Sequence, residues 1–119
     1  MDITLPYPPS VNTYWRAIGR GRVIISKNGR EYRTEVVCEV AKQRGTLCPQ
    51  PLEGRLGVDI GAWMPDKRRR DLDNILKATL DSMVHAGLML DDEQIDDLRI
   101  KREGVEKPGR LEVKITEIK

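Results

Sequence analysis

The stretch MPDKRRRDLDNILKATLDSM, Met64 to Met83, sets four cations, Lys67, Arg68, Arg69 and Arg70, directly against two carboxylates, Asp71 and Asp73. An exposed ion pair contributes only about 0–1 kcal/mol, so pairing alone is a weak reason to crowd charge there. A second acidic run, Asp91 to Asp97, holds five acids and no base. Carboxylates brought together repel unless a cation neutralises them, and Mg²⁺ suits that role because it takes hard oxygen ligands while keeping several waters. Such an ion polarises a phosphoryl oxygen and lowers the pKa of a water that attacks phosphorus. Arginine beside it has an anionic target, since the guanidinium fork matches phosphate oxygens. Asp71, Asp73, Asp91 and Asp92 are therefore candidate metal ligands, and Lys67 to Arg70 are candidate phosphate contacts. Lys77, one helical turn after Asp73, is placed to stabilise charge building on that phosphate.

The elements must carry these groups to one place. Leu72, Ile75, Leu76, Thr79, Leu80 and Met83 recur at helical spacing and predict a helix over Asp71–Ala86, ended by Gly87. Asp73, Lys77, Asp81 and His85 then line its opposite edge. That helix advances roughly 22 Å, and an extended return from Gly87 to Asp92 covers roughly 20 Å. The match predicts that Asp91 and Asp92 come back level with Asp71 and Asp73. A blander arrangement uses the same residues: Asp71 caps the helix, Asp73 complements its dipole, and the later acids form a solvated loop. His85, Asp66 and Asp96 read as surface residues in either case, and Asp91 reads more readily as a surface residue than as a ligand.

Ahead of this unit, Ile3 and Leu5 alternate with polar residues until the prolines of PYPPS. RVIISK, Arg22–Lys27, is a β-branched strand run closed by the turn pair Asn28-Gly29. Tyr32, Val36, Val37, Val40 and Ala41 predict an amphipathic helix over Arg30–Arg44, with Gly45 past its end. Leu56, Val58, Ile60, Ala62 and Met64 alternate within Arg55–Met64, a strand with one apolar face. Leu98–Arg102 and Arg110–Ile118 alternate as well, and EGVEKPG between them predicts an antiparallel hairpin. The expected class is α/β, a small mixed sheet with two main helices in one domain over residues 1–119.

The net charge is only +2, from 21 Lys and Arg against 19 Asp and Glu, so total charge says little about partners. Its distribution says more. Between Tyr14 and Arg33 stand six cations against Glu31 alone, which makes Arg16, Arg20 and Arg22 candidate DNA contacts beside the rings of Tyr14 and Trp15. Trp15 serves equally as a core residue. With no Phe, the core must be built mainly from Val, Ile, Leu and Met. Cys38 and Cys48 are the only cysteines and no Cys/His cluster could hold zinc, so they read as a reduced pair in a cytoplasmic protein. MDITLPYPPS is no signal peptide, and nothing approaches the ~20 apolar residues of a membrane span.

MPDKRRRDLDNILKATLDSM followed by GLMLDDEQI, together with LPYPPSVNTYWR near the N-terminus, resembles the RusA family of Holliday-junction resolvases of bacteria and prophages. The resemblance runs from Ile3 to Ile118, and RRRDLDN and LDD at matching separation are its most specific part. It implies a RusA-like fold and a Mg²⁺-dependent homodimeric endonuclease, with Mn²⁺ as a substitute ion. Such an enzyme binds four-way junction DNA and cuts it with paired symmetric nicks in recombination and repair. It also implies that Asp71, Asp73 and Asp92 are the catalytic metal-binding carboxylates, that Lys77 is an essential active-site base and that Arg70 supports the site. Two rival readings differ in class: a non-catalytic junction binder, and a metal-dependent nuclease with another DNA substrate. A pure binder has no use for clustered acids, which repel the DNA backbone.

Overall fold

The structure, a computed structural model, describes residues 1–46 and 48–118. Four strands form one sheet: β1 (Asp2–Pro6), β4 (Arg55–Met64), β5 (Ile95–Val105) and β6 (Arg110–Ile118) stand in the order β1-β6-β4-β5. A separate two-stranded sheet joins β2 (Trp15–Ala17) to β3 (Val23–Ile25), just after the one-turn helix α1 (Val11–Tyr14). Two long helices, α2 (Lys27–Arg44) and α3 (Asp73–His85), complete an α/β architecture with a mixed sheet. No helix among the described residues is long and apolar enough to cross a membrane.

Alternation in β4 works as the sequence requires: Leu56, Val58, Ile60, Ala62 and Met64 are all buried. Ile3 and Leu5 of β1 and Leu111, Val113 and Ile115 of β6 share the same core. Tyr32, Val36 and Val40 of α2 and Ile75, Ala78 and Met83 of α3 pack into it. Leu72, Leu76 and Leu80 are only half-buried, while Ala78 and Ser82 are fully buried, so the inward stripe of α3 is rotated from the leucine line.

The strand pairing differs from the expected final hairpin. β4 lies between β5 and β6, parallel to the first and antiparallel to the second, so β5 and β6 are not partners. Alternation says which way side chains point but not which strand lies alongside. β4, α3 and β5 make a β-α-β crossover, the connection that parallel neighbours require. Strand β5 is longer than Leu98–Arg102, and as an edge strand it is mostly exposed.

Asn28-Gly29 is also not a turn. Both residues lie in the first turn of α2, whose cap is Ser26: its side chain accepts from Gly29 N at 3.0 Å. A Cβ at Gly29 would stand 2.5 Å from the Tyr14 carbonyl oxygen, so glycine serves here as a close-approach residue. The strand expected over Arg22–Lys27 shortens to β3, because Ser26 and Lys27 are taken into the start of α2.

Candidate metal centre and nucleic-acid interface

The acids at the start of α3 are left free. The N-cap position falls on Leu72 and no side chain caps the helix, so Asp71 is not the cap that the blander arrangement needs. Its backbone carbonyl accepts from Asn74 N at 3.2 Å, while neither its carboxylate nor that of Asp73 has a hydrogen-bond or ion-pair partner among the described residues. Both residues are exposed. Ion pairing in this corner is handled by Asp66, which accepts from the Arg70 guanidinium through both oxygens and from Arg68 N at 2.9 Å. These bonds, the Arg70 fork above all, hold the Asp66 carboxyl well below the usual carboxylate range. Asp66 is thus the anchor of Arg70, a role its surface reading in the sequence does not reveal.

Arg70 is fixed from several sides. Its guanidinium carbon lies 5.9 Å from the centre of the Tyr7 ring, and its backbone carbonyl accepts from Arg102 Nη2 at 2.7 Å. Lys67 and Arg69 are exposed, with no partner among the described residues. A cleft of about 410 Å³ opens here, lined by Tyr7, Asn12, Arg69, Arg70, Asp71 and Asn74 among others. Arg16, Arg20 and Arg22 all sit on the β2–β3 hairpin, exposed and without partners among the described residues. Arg33, from the same basic run, is instead turned inward to Asp81 at 2.6 Å.

Asp92 comes to rest against α3. Parallel pairing forces β5 to begin where β4 begins, with Ile95 opposite Leu56. The carboxyl of Asp92 is raised by partial desolvation and by its neighbours Asp91 and Asp81, while the charge of Lys77 opposes the shift. Its charged neighbours are thus Lys77 and Asp81 on α3. Asp91 caps a 3₁₀ turn over Asp92–Gln94, with its side chain accepting from Glu93 N at 3.1 Å. Among the described residues, no three His, Cys, Asp or Glu side chains stand close enough to hold one ion. Asp71 and Asp73 share the start of α3, and Asp92 is brought to Lys77, one turn along the same helix.

The remaining acids of the second run are structural. Arg55 Nη1 donates to Glu93 at 3.1 Å and Arg55 Nη2 to Asp96 at 2.5 Å, and Asp97 faces Arg99 at 3.6 Å. Reasoning from sequence missed the partly buried contact that ties Asp81 to Arg33 and Tyr14. Nothing in a linear pattern signals a contact spanning 48 residues.

A family model described as Endodeoxyribonuclease RusA matches residues 6–116. The "Crossover junction endodeoxyribonuclease rusA" of Enterobacteria phage HK97 is 49% identical over 118 residues, covering 98% of this chain and 94% of that protein. The proteins of the same name from Enterobacteria phage 82 and Escherichia coli K12 are 45% and 43% identical, each again covering 98% of this chain. Coverage of those two relatives is 93% and 94%, so the likeness spans the acids, the cations and the strands that carry them. At this identity and coverage, the chain belongs to the RusA family of endodeoxyribonucleases.

Proposed function

We propose that this protein is a Mg²⁺-dependent endonuclease that resolves four-way DNA junctions as a homodimer, cutting two symmetry-related strands in recombination and repair. The observation that carries the reading is the pair of exposed, unpartnered carboxylates, Asp71 and Asp73, set beside the unpaired cations Lys67 and Arg69 in a chain of this family. Acids that cap nothing and pair with nothing gain from a cation, and hard oxygen donors fit a hard divalent ion. Asp71 and Asp73 would hold it, with Mn²⁺ as a substitute, and Asp92, beside Lys77 one turn along α3, would complete the set by a side-chain movement toward them. When bound, the ion polarises the phosphoryl oxygen and activates a water.

The chain's own residues do the rest. Lys67 and Arg69 hold backbone phosphate, with Arg68 beside them, and Arg70, braced by Asp66, keeps this corner in shape. Lys77 lies one turn below Asp73, beside Asp92, where its ammonium stabilises charge on the reacting phosphate and serves proton transfer. Arg16, Arg20 and Arg22 extend the phosphate track along the hairpin. A junction has near two-fold symmetry, so two related subunits meet two related strands.

Labelled four-way junction, linear duplex and single strand, each incubated with and without Mg²⁺, test this reading. New 5′-phosphate ends are expected from the junction in the presence of metal only. Equal cutting of all three DNA forms would replace junction resolution with a general nuclease, and tight junction binding without any cutting would leave only a binding module.

A further inference from the structure

Tyr14 joins three parts of the molecule. Its backbone carbonyl accepts from Ser26 N at 2.9 Å and so closes the root of the β2–β3 hairpin. Its ring stands edge-on to Trp15, with centroids 5.1 Å apart. Its hydroxyl reaches the other way, donating to Asp81 Oδ2 on α3 and accepting from Arg33 Nε on α2 at 3.1 Å. Arg33 closes the triangle, donating to the same Oδ2 from Nε at 2.9 Å and from Nη2 at 2.6 Å. Tyr14 is fully buried, while the Arg33 and Asp81 side chains keep 25% and 27% of their exposure.

A shielded ionic network is seldom the most stabilising way to fill such a space, because well-packed apolar residues do as well. What it adds is geometry: a rigid guanidinium fork and a buried hydroxyl converging on one oxygen hold α3 at one rotation about its axis. Asp81 lies one turn beyond Lys77 on that helix, and the hairpin rooted at Tyr14 carries Arg16, Arg20 and Arg22. We propose that Tyr14, Arg33 and Asp81 are positioning residues for strand cleavage: their clamp fixes the root of the arginine-bearing hairpin to the helix that carries Lys77. The distance from the phosphates held by the hairpin to the reacting phosphate is thereby set. This inference rests on the roles proposed above for Lys77 and the hairpin arginines.

The test uses the full chain and a four-way junction, below the lowest melting temperature of the variants. Junction affinity is read without metal, and single-turnover cleavage is read with Mg²⁺ at saturating protein. Tyr14→Phe removes one hydroxyl and keeps the ring and the Arg33–Asp81 pair; Arg33→Met removes the fork. Affinity is expected within about 2-fold of the parent, with cleavage slower by about 10- to 100-fold, the effect of roughly 1 Å of misplacement. In the Tyr14→Phe background, Arg20→Ala is expected to slow cleavage less than it does in the parent, by more than the about 2-fold scatter of independent sites. Parental cleavage rates in both clamp variants, strictly additive effects, or equal losses of affinity and cleavage would each overturn the clamp. Should Arg33→Met fail to fold, Tyr14→Phe carries the test alone. Lys77→Ala separates the layers: parental cleavage there removes the underlying site, whereas an inactive Lys77→Ala beside fully active clamp variants removes only the clamp.

Discussion

Asp73 and Asp81 stand two turns apart on one edge of α3 and have opposite surroundings. Asp73, at the helix start, is exposed and has no partner among the described residues. Asp81 accepts from a buried tyrosine and from an arginine on a neighbouring helix. The same division runs through the second acidic run, where Glu93 and Asp96 are taken by Arg55 and Asp97 by Arg99, while Asp92 is set against Lys77. A carboxylate satisfied by its own fold holds the fold together; one left unsatisfied at a basic corner is available to an ion and a phosphate. The two ends of α3 therefore separate scaffold from chemistry.

The sharpest way to break this contrast is cleavage itself. Asp73→Asn is expected to slow junction cutting by about 10³-fold or more, since a metal supplies several kcal/mol of transition-state stabilisation. Junction binding without metal should persist or tighten, because a negative charge facing phosphate is gone. Parental cutting by a folded Asp73→Asn protein would remove this carboxylate from the proposed metal set.

Stability should show the reverse order. Asp81→Ala leaves the Tyr14 hydroxyl buried and Arg33 unpaired, and is expected to cost about 1–3 kcal/mol in chemical denaturation. Asp73→Ala, touching nothing, should fall within about 0.5 kcal/mol of the parent. Equal effects would mean that the clamp does not hold α3.

The pH dependence divides the acids again. Asp66 and Asp96 are held below the ordinary carboxylate range by the Arg70 and Arg55 forks, so each stabilises the fold above a pH of about 4 and loses that contribution as pH falls toward the folded value. Asp92 is raised by burial and by Asp91, so its effect runs the other way: absent below a pH of about 4, destabilising once pH rises through its folded value. Melting curves from pH 3 to 7 should therefore show Asp66→Asn flattening the acid-side loss, while Asp92→Asn gains stability at neutral pH and not in acid. A loss of neutral-pH stability in Asp92→Asn would contradict its strained surroundings. Arg55→Ala is expected to shift the denaturation midpoint only slightly, because that pair network is exposed to solvent.

Much of the chemistry was legible in one dimension. The alternation of Arg55–Met64 identified a strand and its buried face, helical spacing identified α2 and α3 to within a few residues, and RRRDLDN with LDD marked the family. These features are local: side-chain direction follows from the backbone period of two in a strand and 3.6 in a helix. Gly29 shows the limit, since a turn signal became a tight helix start only because the Tyr14 carbonyl lies against it.

What the chain alone determined, then, is the residue inventory of a metal-dependent nuclease and the faces on which its strands and helices carry it. Tertiary structure decided that β4 separates β5 from β6, that Asp92 meets Lys77, and that Asp81 is clamped while Asp73 stays free. Each of those outcomes depends on which distant segment becomes the neighbour. Hydrophobic burial of whole strands and helices selects that neighbour, and no local periodicity encodes it.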